Sequence, residues 1–142
     1  MLNATWNSYE EEAMDFYEES PSYTEEELAC LKAVRSTVYD FVAHSPAGTL
    51  SDLKGGNLTL FCCKAEDEMK KRYFLSSSRR RALRQFLPPE ELLEVLAEKA
   101  MAALPQVTAL TAGRRCKDKP DLFEAERNLR TIIAAFYSLK AA

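Results

Sequence analysis

The hydrophobic positions of this chain recur with two different periods, and the period assigns the elements. In the first twenty residues Trp6, Tyr9, Ala13, Phe16 and Tyr17 follow a helical spacing, with Glu10, Glu11, Glu12, Asp15, Glu18 and Glu19 filling the gaps. Ser8 with Glu11 forms a capping box and Ser20-Pro21 a stop, so the spacing predicts a short amphipathic helix, aromatic on one side and acidic on the other. Thr24 with Glu27 forms a second capping box, and Leu28, Leu31, Val34, Val38, Phe41 and Val42 share the face that follows. A helix over about 25–44 is expected, ended by Ser45-Pro46. The stretch 48–57 then reads as a loop, most flexible at Gly55-Gly56.

From Leu58 the pattern reads as alternating. Leu58, Leu60 and Cys62 interleave with Thr59, Phe61 and Cys63, Glu66-Asp67-Glu68 makes a polar turn, and 72–76 returns as a second, aromatic-containing strand of a hairpin. Ser78 can cap a short helix over 79–86. Pro88-Pro89 breaks it and restarts another through Leu104, with Leu92, Leu93, Leu96, Ala100 and Leu104 inward. Residues 107–111 are expected as a third strand. Pro120 and Asp121 open a last helix on the stripe Leu122, Ala125, Leu129, Ile132, Ile133 and Phe136. The predicted order is α-α-β-β-α-α-β-α, an α+β fold in which about five helices pack on a small, mainly antiparallel three-stranded sheet. Residues 1–20 form an N-terminal arm, and 21–142 a single α+β domain.

Composition supports a folded chain. At 142 residues, with 46% hydrophobic and 29% charged side chains and four glycines, there is enough apolar surface for one core. The N-terminus has neither the basic start nor the apolar run of a signal peptide, and no stretch approaches the ~20 apolar residues that span a bilayer. The expectation is an intracellular, cytoplasmic protein without a membrane span. Cys30, Cys62, Cys63 and Cys116 contain no C-x-x-C spacing and His44 is the one histidine, so reduced thiols are expected, with no metal site and no cofactor.

Charge divides the chain. The first 31 residues hold nine Asp or Glu and no Lys or Arg, whereas from Lys32 onward cations exceed acids by six. The excess is local: Lys64, Lys70, Lys71, Arg72, Arg79, Arg80, Arg81 and Arg84 face three acids between Lys64 and Arg84, with Ser76, Ser77 and Ser78 beside them. Lys70, Lys71, Arg72, Ser78, Arg79, Arg80 and Arg81 form a candidate anion-binding ridge, and Arg114 and Arg115, with Lys117 and Lys119, form a second basic set before the last helix. Three readings fit: a solvated face that pairs with the acidic arm, a surface for an acidic protein, or a surface for nucleic acid or phospholipid, with Tyr73 or Phe74 stacking on bases. The aromatic stripe Trp6, Tyr9, Phe16 and Tyr17 likewise either docks in a partner's groove or packs on the chain's own core.

No catalytic set is assigned. His44 at a helix end is placed to bond free carbonyls, and Glu124 and Glu126, two apart on a helix, face different directions. The segments Gly56-Asn57-Leu58-Thr59-Leu60, Tyr73-Phe74-Leu75-Ser76 and Phe123-Glu124-Ala125-Glu126-Arg127-Asn128-Leu129 together resemble the front half of a zinc-dependent deaminase domain. In that family the helix opens His-Ala-Glu, the histidine binding zinc and the glutamate shuttling the proton, with Pro-Cys-x-x-Cys on the next helix. Here Glu124 stands at the histidine position and no Pro-Cys-x-x-Cys follows in the sequence, so the resemblance implies a degenerate or truncated relative in which only Glu126 matches a catalytic role.

The function expected is non-enzymatic binding of another protein, as a regulator, adaptor or inhibitor-type module. The alternative is a nucleic-acid or phosphate-binding protein whose acidic arm covers the basic ridge.

Overall fold

A computed structural model of the chain describes residues 22–71 and 77–141. They form five α-helices: α1 (Glu25–Ala43), α2 (Asn57–Lys70), α3 (Ser77–Arg84), α4 (Glu90–Thr111) and α5 (Pro120–Ala141), with one 3-10 turn (Ser51–Leu53) before α2. There is no strand among the described residues, so the α+β expectation and its three-stranded sheet are replaced by an all-helical fold.

The first expected strand is the start of α2. Leu58, Phe61, Cys62 and Ala65 are buried and Met69 packs against the core, which is a 3-4 spacing. The alternating reading fails because Leu60, 57% exposed, lies between buried Leu58 and Cys62, and the adjacent Phe61 and Cys62 are both buried. The apparent turn Glu66-Asp67-Glu68 lies inside the same helix. Residues 107–111, the expected third strand, are the last turns of α4, where Val107 and Thr111 continue the buried line of Leu93, Leu96, Ala97 and Ala100. Pro105 inside α4 is exposed, and Thr108 Oγ1 donates to its carbonyl at 2.9 Å. The helix therefore loses one backbone bond at Pro105 without ending there. The expected second strand, 72–76, and the arm, 1–20, lie outside the described residues.

Other boundaries hold where a cap defines them. In α1 the Thr24–Glu27 capping box is complete: Thr24 N donates to Glu27 Oε1 at 2.8 Å and Glu27 N to Thr24 Oγ1 at 3.1 Å. Leu28, expected on the inner face, is exposed. Helix α3 begins at Ser77, so Ser78, the expected cap, lies inside it.

Helix α5 is the central element, lying against α4 and also against α1 and α2. One apolar cluster draws on all five helices. At its middle, Phe61 stands edge-on to Phe41 at 6.4 Å and tilted to Phe86 at 5.5 Å, tying α2 to α1 and to the end of α3. Ser45 Oγ donates to Phe41 O at 2.7 Å and Phe86 O at 3.2 Å, and Ala47 N to Gln85 O at 2.7 Å, so the turn after α1 is fastened to the same place.

Candidate functional site

The N-terminus of α1 is clamped to the loop before α5. Glu27 is only 1% exposed, yet two cations lie against it. Its Oε1 accepts from Thr24 N and from Lys119 Nζ at 2.9 Å, and Oε2 lies 3.3 Å from Arg114 Nη1 as an ion pair without hydrogen-bond geometry. The backbone bond from Thr24, then the Lys119 ammonium, hold the carboxyl below the usual glutamate range against the opposing effect of burial. Lys119 Nζ also donates to Ser22 O and sits 4.9 Å from the Tyr23 ring centroid, while Asp121 N donates to Tyr23 Oη at 3.1 Å. Burial pushes the Tyr23 phenol up, so its hydroxyl keeps the proton. These contacts fix where residues 22–24 leave the bundle. An acid from the first 31 residues thus pairs with the second basic set within one molecule.

Beside this clamp, a groove of about 540 Å³ runs between α1 and α5 and is closed by the start of α2. Its apolar lining is Leu31, Val34 and Val38 from α1, Leu58 from α2 and Ala125 from α5, and its rim carries Arg35, Asp121 and Glu124. Exposed Leu28 and Tyr39 lie on α1 within a turn of Leu31 and Arg35. Within the groove, Asn128 is 6% exposed. Its Nδ2 donates to Thr59 Oγ1 at 3.1 Å, but its Oδ1 has no partner. The other buried polar residues, Ser45, Thr111 and Thr131, have their hydroxyls bonded. A buried carbonyl without a donor costs about 1–3 kcal/mol.

A second groove, about 410 Å³ between α2 and α5, is lined by Glu66, Met69, Phe123, Glu126, Arg127 and Arg130 among others. Its charges satisfy one another: Arg127 reaches Glu66 at 3.0 Å and Arg130 reaches Glu126 at 2.8 Å.

The expected basic ridge is divided. Lys70 pairs with Glu66 at 3.8 Å within α2 and Lys71, just past its end, with Glu68 at 2.5 Å, while Arg114 is drawn to Glu27. Arg80, Arg81 and Arg84 are exposed on α3 and Arg115 on the α4–α5 loop. Ser78 and Arg79 fall within α3, and Arg72, Trp6, Tyr9, Phe16 and Tyr17 lie outside the described residues. His44 Nδ1 lies 2.9 Å from Asp40 O at the end of α1, a helix-end contact. The hairpin on which the deaminase resemblance leaned begins instead as α2, and Glu124 lies on the groove rim. Among the described residues no three His, Cys, Asp or Glu side chains are placed to hold a metal ion, so these residues do not fit the zinc site of that family.

Asn128 was the residue that sequence reasoning passed over. Its signal is a single amide one position from Leu129, on a helix whose neighbouring inward positions are Leu122, Ala125 and Ile132. No protein-family model matches the chain, and comparison with curated proteins and with solved structures gives no significant match. None of the described helices is long and apolar enough to cross a membrane.

Proposed function

We propose that this chain is a helical protein-interaction module whose α1–α2–α5 groove receives an apolar segment carrying an N–H or O–H donor. The observation that carries the reading is Asn128, which lines an apolar groove and whose buried Oδ1 has no partner. Cores rarely retain such an atom, because Leu in its place would remove the desolvation cost. A binding site has a reason to keep it: a matching donor gains a hydrogen bond in a low-dielectric slot, and a segment lacking the donor is rejected. Leu31, Val34, Val38 and Leu58 supply apolar contact, and Arg35 facing Asp121 and Glu124 across the rim selects the orientation of a charged segment.

The test is a photo-crosslinking amino acid at Thr59, inside the groove, with Lys99 on the exposed side of α4 as the control position. The expected result is a defined peptide crosslinked from position 59 and not from 99, lost in Leu31→Glu. Equal crosslinking from both positions, or a product that persists in Leu31→Glu, rejects the groove as the interface.

A second reading, binding of phosphate groups or nucleic acid, is supported by Arg80, Arg81 and Arg84, which are exposed on α3 while Leu83 is buried. It predicts oligonucleotide binding that falls steeply with salt and disappears in R80E/R81E/R84E.

A further inference from the structure

We infer that the groove and the exposed strip of α1 beside it form a two-fold interface, in which the groove of each copy is covered by the α1 strip of a second copy of this chain. This rests on the groove being a docking surface, as proposed above, and names what docks there. Three observations select a second copy over a foreign partner.

The first is an uncovered stripe. Leu28, Lys32, Arg35 and Tyr39 follow one another at steps of four, three and four, so they stand in line on one side of α1. All four are exposed, Leu28 at 53% and Tyr39 at 42%. They lie next to Leu31, Val34 and Val38, which line the groove. The apolar arc of α1 is thus wider than the part its own bundle covers, and the surplus runs along the edge of the groove.

The second is charge. Between Leu28 and Tyr39 the only charged residues are Lys32 and Arg35, so the α1 edge is basic. The α5 wall opposite carries Asp121 and Glu124, so that edge is acidic. A partner of one sign is attracted by one edge and repelled by the other. A second copy brings both signs on one self-complementary surface.

The third is direction. Helix α1 begins at Glu25 and α5 at Pro120, and both starts meet in the clamp, where Lys119 Nζ donates to Glu27 and Asp121 N to Tyr23 Oη. The two helices therefore leave the clamp side by side in the same sense. A two-fold axis running along the groove lays α1 of each copy on α5 of the other, so that each basic edge meets an acidic one. Leu28, Leu31 and Tyr39 then close the facing groove. An axis across the groove sets α1 on α1 and brings Lys32 and Arg35 against like charges, so the first arrangement is the attractive one.

Sedimentation equilibrium of the full-length chain tests this, with charge reversals at two exposed positions, Arg35→Glu and Glu124→Arg. Wild type is expected to show the mass of two chains, reverting to one on dilution. Each variant alone sets like charges against each other at both edges of the two-fold contact, which raises the dissociation constant about tenfold or more. An equimolar mixture of the two variants restores opposite charges and returns the dimer, which also shows that both are folded. A wild type that is monomeric at every concentration, a dimer that either variant leaves intact, or a mixture that stays monomeric overturns the inference. The crosslinker at Thr59 separates this outcome from failure of the groove. A peptide of α1, joined between molecules carrying different isotope labels, supports the second copy. A crosslinked peptide of another sequence overturns the second copy and leaves the groove a docking surface, whereas equal crosslinking from Lys99 removes both.

Discussion

Replacing Glu27 by alanine removes the centre of the clamp, and its cost can be worked from the contacts. Thr24 N loses the acceptor that completes the capping box, about 0.5–1 kcal/mol. Lys119 Nζ loses a charge-assisted bond, about 1.5–3 kcal/mol, and its side chain, 13% exposed, keeps only Ser22 O and the Tyr23 ring. Arg114, 43% exposed, relaxes into water and adds little. The sum is about 2–4 kcal/mol, or roughly 6–15 °C in melting temperature for a chain of this size. Urea unfolding followed by helical circular dichroism measures it, with Glu26→Ala on the exposed side of the same turn as control. Glu27→Gln keeps an acceptor and loses the charge, so its cost is smaller, about 1–2 kcal/mol. Its pH dependence has a fixed sign. The folded carboxyl titrates below the 4.5 of a solvated glutamate, so its contribution is complete above pH 4.5 and is lost as the pH falls through the lowered folded value. Wild type and Glu27→Gln therefore differ at neutral pH and converge in acid. A loss under about 0.5 kcal/mol in Glu27→Ala, or a difference from Glu27→Gln that grows in acid, would refute the clamp.

Two further outcomes follow from the packing and the thiols. A Cβ at Gly48 would come within 2.1 Å of Val42 O and 3.1 Å of Ser45 O, both backbone, so Gly48→Ala costs about 1–3 kcal/mol in urea unfolding, whereas Gly56→Ala, with nothing within 4 Å and an ordinary helical φ of −64°, is neutral or slightly stabilising. Burial pushes the Cys62 thiol up to about 12 and also raises Cys30, so a thiol reagent at pH 8 labels exposed Cys116 first and reaches Cys62 and Cys30 only on unfolding; mass spectrometry of the labelled peptides checks the order.

What the sequence revealed and what it hid have separate physical causes. Helices α1 and α5 were legible because each begins with a local device, the Thr24–Glu27 box and Pro120-Asp121, and continues on one stripe. Helix α2 was not, because Leu58, Leu60 and Cys62 alternate by chance on top of the 3-4 line Leu58, Phe61, Cys62, Ala65; only burial of both Phe61 and Cys62, with Leu60 exposed, separates the two. The end of α4 was misread because Pro105 and the β-branched Val107, Thr108 and Thr111 favour extended structure locally, and packing against α5 overrides that preference. The site was the least visible part. Glu27 and Lys119 are 92 residues apart, so the basic loop looked like an anion site when its inner cation completes a buried pair. Asn128 gains its meaning only from Thr59, 69 residues away, which satisfies half of its amide and leaves the other half buried without a partner.

The groove's role turns on Asn128, and Asn128→Leu tests it most directly, with stability and occupancy measured on the same protein. A residue kept for the fold loses stability when replaced; one kept for binding does not. The prediction is a melting temperature equal to or above that of the wild type, because an unpartnered carbonyl has been removed from the interior, together with loss of the crosslink from position 59. Destabilisation with crosslinking unchanged would contradict the account and return Asn128 to the core.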